Sequence, residues 1–123
     1  MHSESRRKPA LECCGLLAGG DGVITTVFPA RNAHPSPATC YEIAPKELFQ
    51  IFQEIRAQDL DHLGIYHSHP IGENSPSPTD IELAYYPDAA YFIVSPYPET
   101  KNSVRAFYIR DGHAEESKVK IVD

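Results

Sequence analysis

The stretch LGIYHSHPIGENSPSPTD, residues 63–80, turns from apolar to polar part-way along, and how it is read decides how the rest of the chain is organised. Leu63 to His67, with Ile65 and Tyr66 at its centre, has the composition of a buried strand. Side chains alternate along an extended segment, so His67 and His69 point to one face and Ser68 to the other. Pro70 cannot continue a sheet ladder, which ends the strand and leaves both imidazoles at its rim. Further on, Ser77 suits an N-cap, Pro78 the first helical position and Asp80 the positive end of a short helix. That capping pattern accounts for Ser77 to Asp80 without any metal. It also aims Asp80 at whatever the two histidines hold.

Two imidazoles and one carboxylate form a common zinc set, with a fourth position left for water whose pKa falls to about 7. A carboxylate outside that set would serve as general base, taking the water's proton and passing it to a leaving amine. Glu12, Glu42, Glu54 and Glu73 are all available for the task, and the residues alone do not choose among them. His2, His34, His62 and His113 have no partners at ligand spacing and read as solvated or structural side chains.

Working outward, Cys13 to Ala18 and Val23 to Phe28 read as two strands joined across Gly19-Gly20-Asp21-Gly22, a hairpin with a slightly long loop. Pro29 to Thr39 carries three prolines and reads as loop. Tyr41 to Ile43 is expected to form a short strand. Pro45 opens a helix whose apolar face holds Leu48, Phe49, Ile51, Phe52 and Ile55, fading near Asp59 to His62. A second helix is expected over Thr79 to Tyr86, stopped by Pro87. Tyr91 to Ser95 reads as a strand and Pro96 to Asn102 as a polar loop. Two further strands, Val104 to Ile109 and Glu115 to Val122, are joined near Asp111-Gly112. Strands interspersed with helices predict one α/β domain, on the border of α+β, with a mixed sheet flanked by helices.

With 123 residues the chain suits a single domain. A net charge of -6 without a basic run argues against nucleic acid and fits a protein or peptide partner. No apolar stretch approaches the length of a membrane span, and residues 1–12 lack the apolar core of a secretory signal. Cys13, Cys14 and Cys40 are a poor disulfide framework; they read as small buried thiols in a reducing cytoplasm.

His67-Ser68-His69-Pro70 followed, after six residues, by Ser77-x-x-Asp80 resembles the signature of the JAMM (MPN+) metalloprotease family. "LECCGLLAG" places Glu12 where that family carries a glutamate ahead of an apolar strand, and "FPARNAHPSPATCYEIAPKEL" and "HLGIYHSHP" resemble its loop, helix entry and central strand. The likeness covers nearly the whole chain and is nearer to the stand-alone bacterial and archaeal branch than to the long eukaryotic subunits. It implies the JAB/MPN, cytidine-deaminase-like architecture. It implies that His67, His69 and Asp80 ligate Zn2+, that Glu12 is general base and proton shuttle, and that Ser77 stabilises the tetrahedral intermediate. The implied reaction is hydrolysis of a peptide or isopeptide bond, often after the C-terminal glycine of a ubiquitin-like protein. In the stand-alone branch one implied substrate is a sulfur-carrier protein bearing a C-terminal cysteine.

The family usually carries a fuller helix ahead of the glutamate. Here eleven residues precede Glu12 and Pro9 is among them, so residues 1–9 are expected to be frayed and that helix missing or cut short. An extended substrate tail is expected to add to a sheet edge near Asn32 to Ile43 or Gly72 to Ser77. Two rivals remain at this level. One is a metal-free scaffold of the same fold, against which the full ligand set counts. The other is a zinc deaminase, which needs a Pro-Cys-x-x-Cys pair that this chain lacks.

Overall fold

The computed structural model describes residues 13–34, 41–68, 75–82, 84–86, 88–95 and 104–117. Among the described residues six strands form one mixed sheet: β1 (Cys14–Gly20), β2 (Val23–Ala30), β3 (Asp61–Ser68), β4 (Ala90–Val94), β5 (Val104–Arg110) and β6 (His113–Ser117), in the order β2-β1-β3-β4-β5-β6. All neighbours are antiparallel except β3 and β4, which run parallel. A parallel pair requires a crossover, and the segment between β3 and β4 supplies it. The predicted α/β class with a mixed sheet and helical cover is the one observed.

Two hairpins close on two-residue turns. Asp21 and Gly22 have φ of 53° and 75°, Asp111 and Gly112 50° and 76°; two successive positive φ values define the type I′ turn that matches strand twist. The first hairpin is therefore tighter than its glycine-rich sequence suggests, because Gly19 and Gly20 belong to β1.

Helix α1 (Pro45–Ala57) starts with proline in its first turn, carries Glu47 there and Arg56 in its last turn, and so complements the helix dipole at both ends. It stops in a Schellman arrangement: Asp59 takes the left-handed conformation (φ 60°) and the Leu60 N–H donates to the Ile55 carbonyl at 3.0 Å. Ile51 and Ile55 are buried against Cys14, Leu16, Ala18, Phe28 and Ala30 on one face of the sheet. Truncating Ile55 to alanine would cost about 2–5 kcal/mol. Phe49 is 63% exposed. It lies about 100° around the helix from Leu48 and so falls outside the stripe that Leu48, Ile51, Phe52 and Ile55 share.

Ile65, Tyr91, Ile93, Phe107 and Ile109 continue this helix-covered face along β3, β4 and β5, with Ile81, Ala84 and Tyr86 packed on them. Leu17, Tyr66, Phe92 and Ala106 build a second cluster on the opposite face. Gly15 is required there: a Cβ on it would stand 2.5 Å from the ring of Tyr66, its register partner.

Four expectations need correction. Strand β2 continues through Pro29 to Ala30. It is an edge strand, where a residue without an N–H leaves no ladder bond broken. Tyr41 to Ile43 is not a strand, since it docks outside the sheet. The second helix, α2 (Pro78–Glu82), has five residues and ends well before Tyr86. Among the described residues the sheet's edges are β2 and β6, and residues 32–34, 41–43 and 75–77 of the two expected edge segments (Asn32 to Ile43 and Gly72 to Ser77) are in no strand; the rest of those segments lies outside the described residues. The expectations for residues 1–12, Cys40, the polar loop after Pro96 and the end of the last strand lie outside the described residues. Among the described residues no helix is long and apolar enough to cross a membrane.

Candidate metal centre

The site lies at the C-terminal end of β3, beside its parallel neighbour β4. This is the end of an α/β sheet where loops and helix starts converge. His67 pairs in register with Cys14 of β1 and with Ile93 of β4. Its imidazole is 1% exposed, buried on the helix-covered face.

Asp80 comes to it from α2. The Asp80 N–H donates to Ser77 Oγ at 3.1 Å, and the Ser77 N–H donates to Asp80 Oδ2 at 2.9 Å. These reciprocal bonds are a capping box with aspartate in the third position. The box holds the carboxylate in one orientation, and Oδ2 then lies 3.2 Å from His67 Nε2. Capping the helix and facing His67 are thus done by one side chain: the helix start that the sequence predicts is what aims Asp80 at the histidine. Ser77 Oγ uses a lone pair to accept from Asp80, which leaves its hydroxyl hydrogen to donate elsewhere.

These donors suit zinc. Two ligands about 2.0–2.2 Å from a tetrahedral ion stand about 3.3 Å from each other, close to the 3.2 Å between His67 Nε2 and Asp80 Oδ2. Nitrogen and carboxylate oxygen are donors zinc accepts. Among the described residues no third His, Cys, Asp or Glu joins them. The other expected ligand, His69, and the expected base, Glu12, lie outside the described residues. They adjoin Ser68 and Cys13 respectively, which are described.

Two features escaped sequence reasoning. Tyr41 stacks on His67 with ring centroids 4.3 Å apart and planes 19° from parallel. It is held there indirectly by Asn32, whose Oδ1 accepts from the N–H groups of both His34 and Glu42 at 3.1 Å, while the Ala33 N–H donates to the Glu42 carbonyl at 2.8 Å. The second is a cavity of about 330 Å³ beside Asp80, walled by Tyr41, Leu48, Tyr85, Tyr86 and Tyr91. The Tyr91 hydroxyl accepts from the Tyr86 N–H at 3.0 Å, and burial raises its pKa above 10.0. The Tyr85-Tyr86 pair ahead of a proline was the available signal, but it reads equally as a helix end.

The other carboxylates separate. Glu54 is exposed on α1, Glu42 lies on the cavity wall with Asp80, and Glu73 is outside the described residues. His62 is structural, as expected. Its Nε2–H donates to the Gly64 carbonyl at 3.0 Å, and burial lowers its pKa from 6.5.

Residues 1–109 match the family described as prokaryotic homologs of the JAB domain. The chain is 39% identical over 90 residues to a desampylase of Haloferax volcanii, a match covering 72% of this chain but only 65% of the relative. It is 35% identical over 125 residues to a CysO-cysteine peptidase of Mycobacterium tuberculosis, covering 100% of this chain and 85% of that one. A solution structure of a Desulfitobacterium hafniense protein superposes with a TM-score of 0.83 at 30% identity, over 96% of this chain and 83% of that chain.

Proposed function

Because the chain belongs to the prokaryotic branch of the JAB domain family, we propose that it is a zinc-dependent peptidase or isopeptidase. One observation carries this reading: the Asp80 carboxylate, fixed by the Ser77 capping box, converges on the buried His67 imidazole at 3.2 Å. That convergence also weighs against a metal-free scaffold.

His67, His69 and Asp80 would hold the ion. When bound, zinc supplies a Lewis-acid charge that polarises a carbonyl and acidifies water. Glu12 takes the proton of the attacking water and delivers it to the departing amine, so one carboxylate works in both halves of the reaction. Ser77 donates its hydroxyl hydrogen to the carbonyl oxygen as negative charge builds there. The capping box keeps Ser77 and Asp80 in fixed relation, so little reorganisation is needed at the moment of reaction. The tyrosine-lined cavity gives a substrate side chain an apolar wall beside the reacting bond.

The substrate we propose is a ubiquitin-like or sulfur-carrier protein presented by its extended C-terminal tail. The likeness to a desampylase and to a CysO-cysteine peptidase supports this. The test is cleavage of such conjugates by zinc-loaded protein, comparing wild type with Glu12→Gln and Glu42→Gln. The reading expects Glu12→Gln to keep zinc and lose turnover, and Glu42→Gln to keep both. Full turnover in Glu12→Gln with loss in Glu42→Gln would move the base to the cavity wall. No zinc uptake at neutral pH would favour the scaffold.

A further inference from the structure

We propose that Ser68, the residue between the two histidines, is a positioning residue that sets the distance between the carboxylate of Glu12 and the metal ligands. The inference rests on the hydrolase reading above. Ser68 faces away from His67 and is 1% exposed. Its N–H donates to the Cys13 carbonyl at 2.9 Å, and its Oγ accepts from the Cys13 N–H at 2.8 Å.

The β1–β3 register begins at Cys14 and His67. The rung beyond it, between Cys13 and Ser68, is closed by one backbone bond and one side-chain bond. The hydroxyl stands where a regular ladder would use the Ser68 carbonyl, so the strands are clamped without being drawn into a full backbone rung.

Both uncapped directions matter to the chemistry. Glu12 immediately precedes the clamped Cys13, and His69 immediately follows Ser68. Each is one peptide unit, about 3.8 Å along the chain, from the clamp. Base and ligand are therefore the covalent neighbours of the two residues that a single buried bond pair joins. Removing Oγ leaves the Cys13 N–H to seek another acceptor. The nearest change is to close on the Ser68 carbonyl, which shifts residue 12. A displacement of about 1 Å costs up to about 100-fold in rate when it separates reacting groups.

The test uses zinc-loaded full-length protein and, as probe, a ubiquitin-like protein ending in a glycine–aminomethylcoumarin amide. Wild type, Ser68→Ala, Ser68→Cys, Ser68→Thr, Glu12→Gln and the Glu12→Gln/Ser68→Ala double variant are compared. Ser68→Cys nearly preserves volume while weakening the acceptor, and so covers the case in which Ser68→Ala does not fold. The proposal expects kcat in Ser68→Ala or Ser68→Cys to fall about 10–100-fold with KM and zinc affinity within about twofold of wild type. Ser68→Thr, which keeps the oxygen, restores kcat. In the Glu12→Gln background the Ser68 change adds less than about twofold. Independently of activity, hydrogen exchange at the Cys13 amide is slow in wild type and Ser68→Thr and faster in Ser68→Ala.

Unchanged Cys13 exchange, unchanged kcat in Ser68→Ala, or a parallel loss of zinc affinity and kcat would each overturn the proposal. If Glu12→Gln is inactive while Ser68→Ala matches wild type, only this inference falls. If Glu12→Gln matches wild type, Glu12 is not the base and its assigned role falls with this inference; if wild type itself cleaves no amide, the hydrolase reading falls.

Discussion

Strand β3 carries a histidine near each end, and the two have different fates. His62 and His67 both lie on the helix-covered face and both sit among aromatic rings. Strict alternation would separate residues five apart onto opposite faces. The β1–β3 register slips between Leu17 and Ala18, which brings them to the same one. His62 meets Phe52 and Tyr86 edge-on, at 5.0 and 5.6 Å, and its Nε2–H donates to the Gly64 carbonyl two residues along its own strand. His67 meets Tyr41 face-on and turns Nε2 to a carboxylate carried by another element. Residue type, burial and aromatic company do not tell the two apart. Position at the strand's C-terminal end does, with a helix start aiming a carboxylate across the gap.

The comparison breaks most sharply by deletion. His67→Ala should lose stoichiometric zinc and reduce amide hydrolysis by on the order of 10³-fold or more. His62→Ala should retain both. Asp80→Asn should also lose zinc. Its remaining oxygen can still accept from the Ser77 N–H, so the melting temperature of the metal-free protein should change little. Metal analysis, steady-state kinetics and thermal melts on the three variants check this. Zinc loss in His62→Ala alone would reverse the assignment.

The aromatic partners give the next effect. Replacing Tyr41 by leucine removes a stack worth about 0.5–1.5 kcal/mol, so zinc affinity, measured by chelator competition, should weaken about 3–10-fold. Tyr41→Phe should remain within twofold of wild type. Equal weakening in both would shift the role from the ring face to the hydroxyl.

How much of this could be read beforehand follows from how local each signal is. The His-x-His alternation, Pro70 as a strand end and the Ser77–Asp80 cap depend on neighbours within a few residues; the cap lies within the described residues and forms as read, with Asp80 turned to His67. The Asp111-Gly112 turn is local in the same way. Pro29 within β2 was illegible because edge position is a property of sheet order, not of the proline. Tyr41 to Ile43 has strand composition but docks on His67 and the cavity instead of an edge. The register slip that sets His62 on the same face as His67 involves two strands far apart in sequence. Glu12 emerged only through resemblance, since four glutamates satisfied the chemistry equally.

The smallest expected effect concerns pH. Burial lowers the pKa of His62 from 6.5, so the unfolded chain binds the proton more readily than the fold does. Stability from neutral His62 is therefore full above pH 6.5 and is lost as pH falls through the lowered folded value. Metal-free wild type should lose melting temperature between about pH 7 and pH 5, and His62→Phe should show a shallower slope over that window. Identical slopes would remove His62 as the titrating group.

X-ray absorption at the zinc edge addresses the two histidines directly. The account predicts a first shell of nitrogen and oxygen donors containing two imidazoles in the wild type and in His62→Gln, and in His67→Gln only one imidazole on whatever zinc is still bound. A wild-type shell without imidazole, or one that loses an imidazole with His62 and none with His67, would contradict it.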